Sequence, residues 1–252
     1  MSNIKITGKS SDDEKVRPFL PREVNTLLEK SKDSDRYGAL LHPYLGLVLN
    51  QGLSPHEAIG LQIGDITWDS GRQKSILTIK RGITKKKLGD TKNEYRKRSI
   101  ALRDETKVYT DFLIKEAKRK KSIWLFSNED DTRLNDIENI RGTKVYFSSK
   151  KGYHEHRNTR WYKLLEDCNI SHRHIKNCRH TFTMTALDNK LYTLPELASM
   201  LGHKDMQIII KHCAKHIKDK ALDADTTIRM YGNCNTGGTL ENGQNDVSMG
   251  IV

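Results

Sequence analysis

The chain has no run of 18 apolar residues, the least that a membrane-spanning helix requires, so nothing in it is expected to cross a bilayer. Its amino end, MSNIKITGKSSDDEKVRP, has no apolar stretch of the kind a secretory signal carries, which predicts a cytoplasmic protein. Cysteine is scarce: Cys168, Cys178, Cys213 and Cys234 show neither CxxC spacing nor zinc-finger pairing with histidine. Reduced thiols are therefore expected, with no disulfide framework, metal or cofactor. Acidic residues are the short side of the charge balance, 32 against 44 lysines and arginines. The resulting net charge of +12 is the electrostatic footprint of a nucleic-acid binder, although a merely solvated basic surface gives the same total. What remains, 35% hydrophobic and 30% charged residues over 252 positions, suits one large globular domain or two small ones.

Residues 1–17 are polar and read as a loose lead-in. Pro18, Pro21 and Glu23 suit a helix start, and Leu27 and Leu28 mark its apolar face. Tyr37, Leu40, Leu41, Tyr44, Leu45, Val48 and Leu49 then mark a longer helical stripe, which Gly52 ends. Ser54 followed by Pro55 restarts a helix as N-cap and first position. From residue 63 to 102 the pattern is that of strands, with β-rich runs at 76–79 and 98–102 and a turn at 69–71. Between those runs lies a hairpin region dense in cations: Lys80, Arg81, Lys85, Lys86, Lys87, Lys92, Arg96 and Lys97, with Arg98 opening the next strand. Such a hairpin suits a DNA backbone, because Lys and Arg replace the counterions condensed on phosphate. A helix over 106–119 is expected to turn Val108, Phe112, Leu113 and Ala117 inward. A basic loop with Lys150 and Lys151 follows, and then a helix from His156 to Asp167 carrying Arg157 and Arg160 on its polar side. These four cations extend the DNA-facing surface or are simply solvated.

The stretch 175–217 organises the rest. It contains Arg179-His180-Thr181-Phe182, then Leu201-Gly202-His203, then Lys211-His212-Cys213, with apolar residues at helical spacing broken near Asn189-Lys190 and Gly202. Arginine, histidine and a third polar group brought together by helix packing would surround one phosphate. RHTF and LGH, together, in order and about this far apart, resemble the second conserved box of the tyrosine recombinase or phage integrase family. The resemblance covers residues 18–217 and implies a mixed α/β, mainly α-helical catalytic domain with a small antiparallel three-stranded sheet. Residues 218–252 would be a C-terminal extension, mobile from about 233. Residues 1–17 are too few for the small helical domain that family members usually carry ahead of the catalytic one.

The family reaction breaks and rejoins double-stranded DNA without a metal: two arginines and a His or Lys stabilise the phosphorus centre, a tyrosine attacks, and a lysine protonates the leaving oxygen. The resemblance places Arg179 in the second arginine slot, His203 in the late histidine slot, Lys176 where the family has His or Tyr, and Lys92 as the hairpin lysine. Two positions depart from it. Ser54 stands in the first arginine slot, where a hydroxyl supplies neither the charge nor the fork of a guanidinium. Cys213, or His212 in the other register, stands where the tyrosine belongs, and Tyr231 lies well beyond. The resemblance thus implies a DNA-binding family member in a bacterial or phage-encoded setting, with strand cleavage lost or impaired. The alternative is an active recombinase that uses Cys213 or His212 as nucleophile, or that works with another recombinase subunit.

Overall fold

A computed structural model of the chain describes residues 17–84, 86–90, 94–148, 154–207 and 209–210. Helix α1 (Pro21–Lys30) begins where Pro21 presets the backbone and Glu23 reaches back 2.7 Å to the Leu20 N–H, a donor the helix cannot satisfy itself. A short α2 (Ser34–Tyr37) leads into α3 (Leu41–Gln51), the central helix. Leu41, Tyr44, Leu45, Leu47, Val48 and Leu49 are all buried, so α3 is apolar around its circumference and must be covered on every side. Covering it are α5 (Asp104–Arg119) and α8 (Asn177–Asp188), together with α1, α2 and α6 (Glu138–Arg141). Gly46 lets α5 approach, because a Cβ there would lie 2.4 Å from the Tyr109 ring.

The expected mainly helical chain with a three-stranded antiparallel sheet is what forms. β1 (Ile66–Asp69), β2 (Lys74–Ile79) and β5 (Arg98–Ala101) pair in that order, with Ile66 opposite Leu77 and Leu77 opposite Ile100. Leu77, Ile79 and Ile100 give the sheet its buried face. The cationic segment between β2 and β5 forms the hairpin β3 (Arg81–Thr84) and β4 (Lys87–Asp90). Gln51, buried at the end of α3, ties sheet and helices together: it donates to the Ala101 carbonyl at 2.6 Å and accepts from the Arg103 N–H and the Thr106 hydroxyl, both at 3.2 Å. Every polar atom of the amide thus has a partner, which is what its burial requires.

Three expectations need correction. The stripe from Tyr37 to Leu49 is not one helix, since Tyr37 ends α2 and Gly38 at φ +85° separates it from α3. α7 (Thr159–Asp167) starts at Thr159, not His156, because 154–158 is strand β7 (His154–Asn158), paired with β6 (Lys144–Ser148). On α5 the buried stripe is Thr106, Thr110, Leu113 and Ala117, while Val108 and Phe112 are 66% and 43% exposed. The threonines can face the core because their hydroxyls are bonded within it, Thr106 to Gln51 and Thr110 to the Lys107 carbonyl at 2.9 Å. Among the described residues no helix is long and apolar enough to cross a membrane.

The amino-terminal strand of chain is fastened to α8 and the loop before it. The Phe19 N–H donates to Thr181 Oγ1 at 2.9 Å, and Asn177 Nδ2 to the Arg17 carbonyl at 3.4 Å. Buried Arg173 donates to the Pro18 carbonyl at 3.0 Å, grips Glu23 at 2.7 and 3.0 Å, and lies 4.7 Å from the Phe19 ring centre. Phe19 in turn meets Trp161 edge-on at 6.0 Å.

Candidate functional site

Four elements meet beside the carboxylate of Glu57. The first is the Gly52 turn. Gly52 ends α3 in the left-handed conformation at φ +66°, and a Cβ there would strike the Phe182 ring at 2.4 Å. Only glycine therefore permits both the turn and the close seat of α8. Ser54 then caps α4 (Pro55–Ala58): its Oγ accepts from the Glu57 N–H at 3.3 Å, and Glu57 Oε2 accepts from the Ser54 N–H at 2.9 Å. This reciprocal cap turns Glu57 inward, where its side chain is 3% exposed.

The second element is β5, whose Arg98 places its fork on Glu57, Nη1 to Oε1 at 3.0 Å and Nη2 to Oε2 at 3.1 Å. The third is α8, whose Arg179 Nη1 reaches Glu57 Oε2 at 3.2 Å. The fourth is the end of α9 (Leu194–Leu201), itself started by a Thr193–Glu196 capping box and stopped by Gly202 at φ +69°. Its last carbonyls attract cations, as a helix C-terminus does. Arg98 Nε donates to the Met200 carbonyl and Arg179 Nη2 to the Leu201 carbonyl, each at 2.5 Å. Directly after the turn, His203 Nε2 lies 3.2 Å from Arg179 Nη2. A guanidinium only donates, so Nε2 is the acceptor and the imidazole is neutral, with its proton on Nδ1.

Titration behaviour follows from this arrangement. Burial pushes the Glu57 carboxyl up, but Arg98, Arg179 and the Ser54 N–H outweigh it and bring it down to about 2. Burial lowers Arg179 to about 10 against the opposing pull of Glu57, which leaves it charged near neutral pH. His203 is lowered to about 4, by burial first and then by Arg179, Arg96 and Arg98. Two guanidiniums around one carboxylate and a neutral imidazole leave one net positive charge. Arg179, at 17% side-chain exposure, is open enough to present that charge to an oxyanion.

The remaining candidates divide by location. Lys176 is exposed at the N-cap of α8. Lys92, His212 and Cys213, like Lys85, Lys150, Lys151, Lys211 and Tyr231, lie outside the described residues. Of the expected DNA-facing cations, Lys86 and Lys87 are exposed on the hairpin and Lys97 is exposed just before β5. Arg81 and Lys80 face the buried Asp65 at 2.6 and 3.7 Å. Arg96 is half-buried beside Gly202, Arg157 stands opposite Val145 in β7, and exposed Arg160 donates to the Asn139 carbonyl at 2.8 Å. Arg98, expected among the DNA contacts, is 7% exposed and bonded to Glu57. Sequence reasoning missed the part played by Glu57. The Ser54-x-x-Glu57 spacing was the available signal. Among the described residues no group of His, Cys, Asp and Glu could hold a metal ion.

The fold is that of a tyrosine recombinase catalytic domain. XerA recombinase superposes with a TM-score of 0.59 at 16% identity, over 82% of this chain and 62% of that one. The Tn1549 transposon integrase, solved with a circular intermediate DNA, gives 0.60 at 16% identity over 84% and 68%. XerH recombinase, solved with its difH substrate, gives 0.55 at 17% over 81% and 53%. The chain thus spans less than two thirds of XerA and XerH. No curated protein matches it. The chain belongs to the phage integrase family, which it matches over residues 18–218.

Proposed function

We propose that this chain binds double-stranded DNA, with Arg179 and His203 against a backbone phosphate and the cations of the β3–β4 hairpin along the strand, and that its strand-cleavage chemistry is lost or impaired. One observation carries the reading: Arg179 and His203, from separate elements, meet at 3.2 Å beside the Glu57 carboxylate. The XerH and Tn1549 proteins, solved with DNA, share this fold and support DNA as the partner. Site-specific recombination and integration of mobile elements form the setting that family membership supports.

Impairment rests on what occupies two positions. The Ser54 hydroxyl is engaged in a helix cap and brings no guanidinium to the phosphate. Losing one such electrostatic contact typically costs on the order of 10² to 10³ in rate. At position 213 a cysteine stands where the family has tyrosine. In the chemistry of an intact member, tyrosine oxygen bonds to phosphorus as the 5′ oxygen leaves with a proton, and Lys92 is the residue in the slot for that proton.

The test is relaxation of supercoiled plasmid by the unaltered protein beside Ser54→Arg combined with Cys213→Tyr. Retarded duplex in a gel shift, with no relaxation until both residues are replaced, is the expected result. Relaxation by the unaltered protein overturns the loss of chemistry. A covalent protein–DNA adduct that disappears in Cys213→Ala then assigns the nucleophile to that cysteine.

A further inference from the structure

Glu57 has two oxygens and two guanidiniums competing for them, and the competition is unequal. Arg98 takes both oxygens as a fork, while Arg179 reaches Oε2 alone, by one nitrogen at 3.2 Å. All three Arg98 nitrogens are engaged, since Nε holds the Met200 carbonyl and Nη1 also donates to the Arg96 carbonyl at 2.9 Å. The Gly202 turn closes over it, so that a Cβ at Gly202 would lie 2.8 Å from Arg98 Nη1. Arg98 is thereby walled in at 7% exposure, whereas Arg179 stands at its edge with 17%. A free carboxylate prefers the two-point fork of a guanidinium to a single contact. With Arg98 removed, Arg179 would close that fork itself and draw Nη2 away from the Leu201 carbonyl and His203.

We propose that Arg98 is a positioning residue: by occupying Glu57 and the end of α9 it denies Arg179 the fork, and so keeps the Arg179 guanidinium beside His203 and available to a DNA phosphate. It touches no DNA itself. This inference rests on Arg179 as the phosphate contact, and its test is built so that the two can fail separately.

The test compares the unaltered protein with Arg98→Met, Arg98→Lys, Arg179→Met and the Arg98→Met/Arg179→Met double variant. Binding of a labelled random-sequence DNA duplex is followed by fluorescence anisotropy at fixed salt, and the His203 ring is titrated by NMR. Arg98→Met is expected to weaken duplex binding by about tenfold, the scale of one charged hydrogen bond. The double variant should bind no more weakly than Arg179→Met alone, because a residue that acts only through another adds nothing once that other is gone. Arg98→Lys returns the charge without the fork. With the fork gone Arg179 is still drawn from His203, so duplex binding should stay weak and the His203 midpoint should rise, by less than in Arg98→Met, where the Arg98 charge is lost as well. A residue that merely stabilised the fold would lower the thermal midpoint and leave these readouts unmoved in the folded protein. If Arg98→Met does not fold, Arg98→Lys carries the affinity comparison. Additive losses in the double variant, or full affinity in a folded Arg98→Lys, would overturn the proposal. Unchanged binding by Arg179→Met would instead sink the phosphate reading, while a raised His203 midpoint in Arg98→Lys, which keeps the charge, would still report the link between the two arginines.

Discussion

Replacing Glu57 by glutamine removes one negative charge from beneath two guanidiniums and leaves the shape of the side chain almost intact. Its cost can be worked out in two ways. A carboxyl that titrates at about 2 instead of 4.5 contributes about 3 kcal/mol of stability at neutral pH, at ~1.4 kcal/mol per pH unit. Breaking a buried ion pair by deleting one partner typically costs about 3–5 kcal/mol, and Glu57 at 3% exposure is such a partner. Because glutamine keeps an acceptor for one guanidinium and for the Ser54 N–H, the lower figure applies, a fall of roughly 6–12 °C in thermal midpoint for a chain of this size. The pH dependence carries the sharper signature. The folded value lies below the unfolded one, so the contribution is fully present above about pH 4.5 and is lost as pH falls through about 2. Urea unfolding of both proteins from pH 7 down to pH 2 should show a gap of about 3 kcal/mol that closes toward the acid end. A gap that is absent at pH 7, or one that keeps its size down to pH 2, would refute the account of Glu57 as the charge that holds the site together.

Further expectations follow from single contacts. Ser54→Ala removes the hydroxyl that caps α4 and should cost about 1 kcal/mol in urea unfolding, with Ser54→Gly costing less. Gly202→Ala puts a side chain at φ +69° and 2.8 Å from Arg98, so it should lower the thermal midpoint and weaken duplex binding together; an unchanged protein would mean that the turn adjusts freely. His203, lowered from 6.5 to about 4, takes up protons more readily in the unfolded chain, so its neutral form should add a fall in stability as pH drops from about 6.5 to 4. Removing that contribution in His203→Gln should flatten this part of the acid limb, as followed by urea unfolding. Replacing Lys86 and Lys87 by alanine should reduce the salt dependence of duplex binding by up to about two phosphate contacts and leave thermal stability within ~0.5 kcal/mol, because both are exposed.

Much of the architecture was readable from the residues because local rules acted alone there. The stop at Gly52 and restart at Ser54-Pro55 required only left-handed backbone and a cap, and the sheet required only β-rich runs between turns. The meeting of Arg179 with His203 was legible through RHTF and LGH, which fix a helix and a turn at a set separation. What escaped depended on partners far along the chain. The Glu57–Arg98 fork joins residues 41 positions apart, and nothing local separates Arg98 from the cations beside it. The inward face of α5 was misjudged because apolar residues were counted, while the core accepted threonines whose hydroxyls already had partners. Strand β7, read as the start of a helix, has the sequence His-Glu-His-Arg-Asn, which offers no apolar alternation. Its identity comes from the strand it pairs with.

The fastening of residues 17–19 to Thr181, Asn177 and Arg173 has a mechanical meaning. A load applied at the amino end of the fold is delivered first to the helix that bears Arg179. A tether there acts as a handle on that helix, and stretching the molecule from residue 17 should disturb the meeting of Arg179 with His203 before the sheet yields.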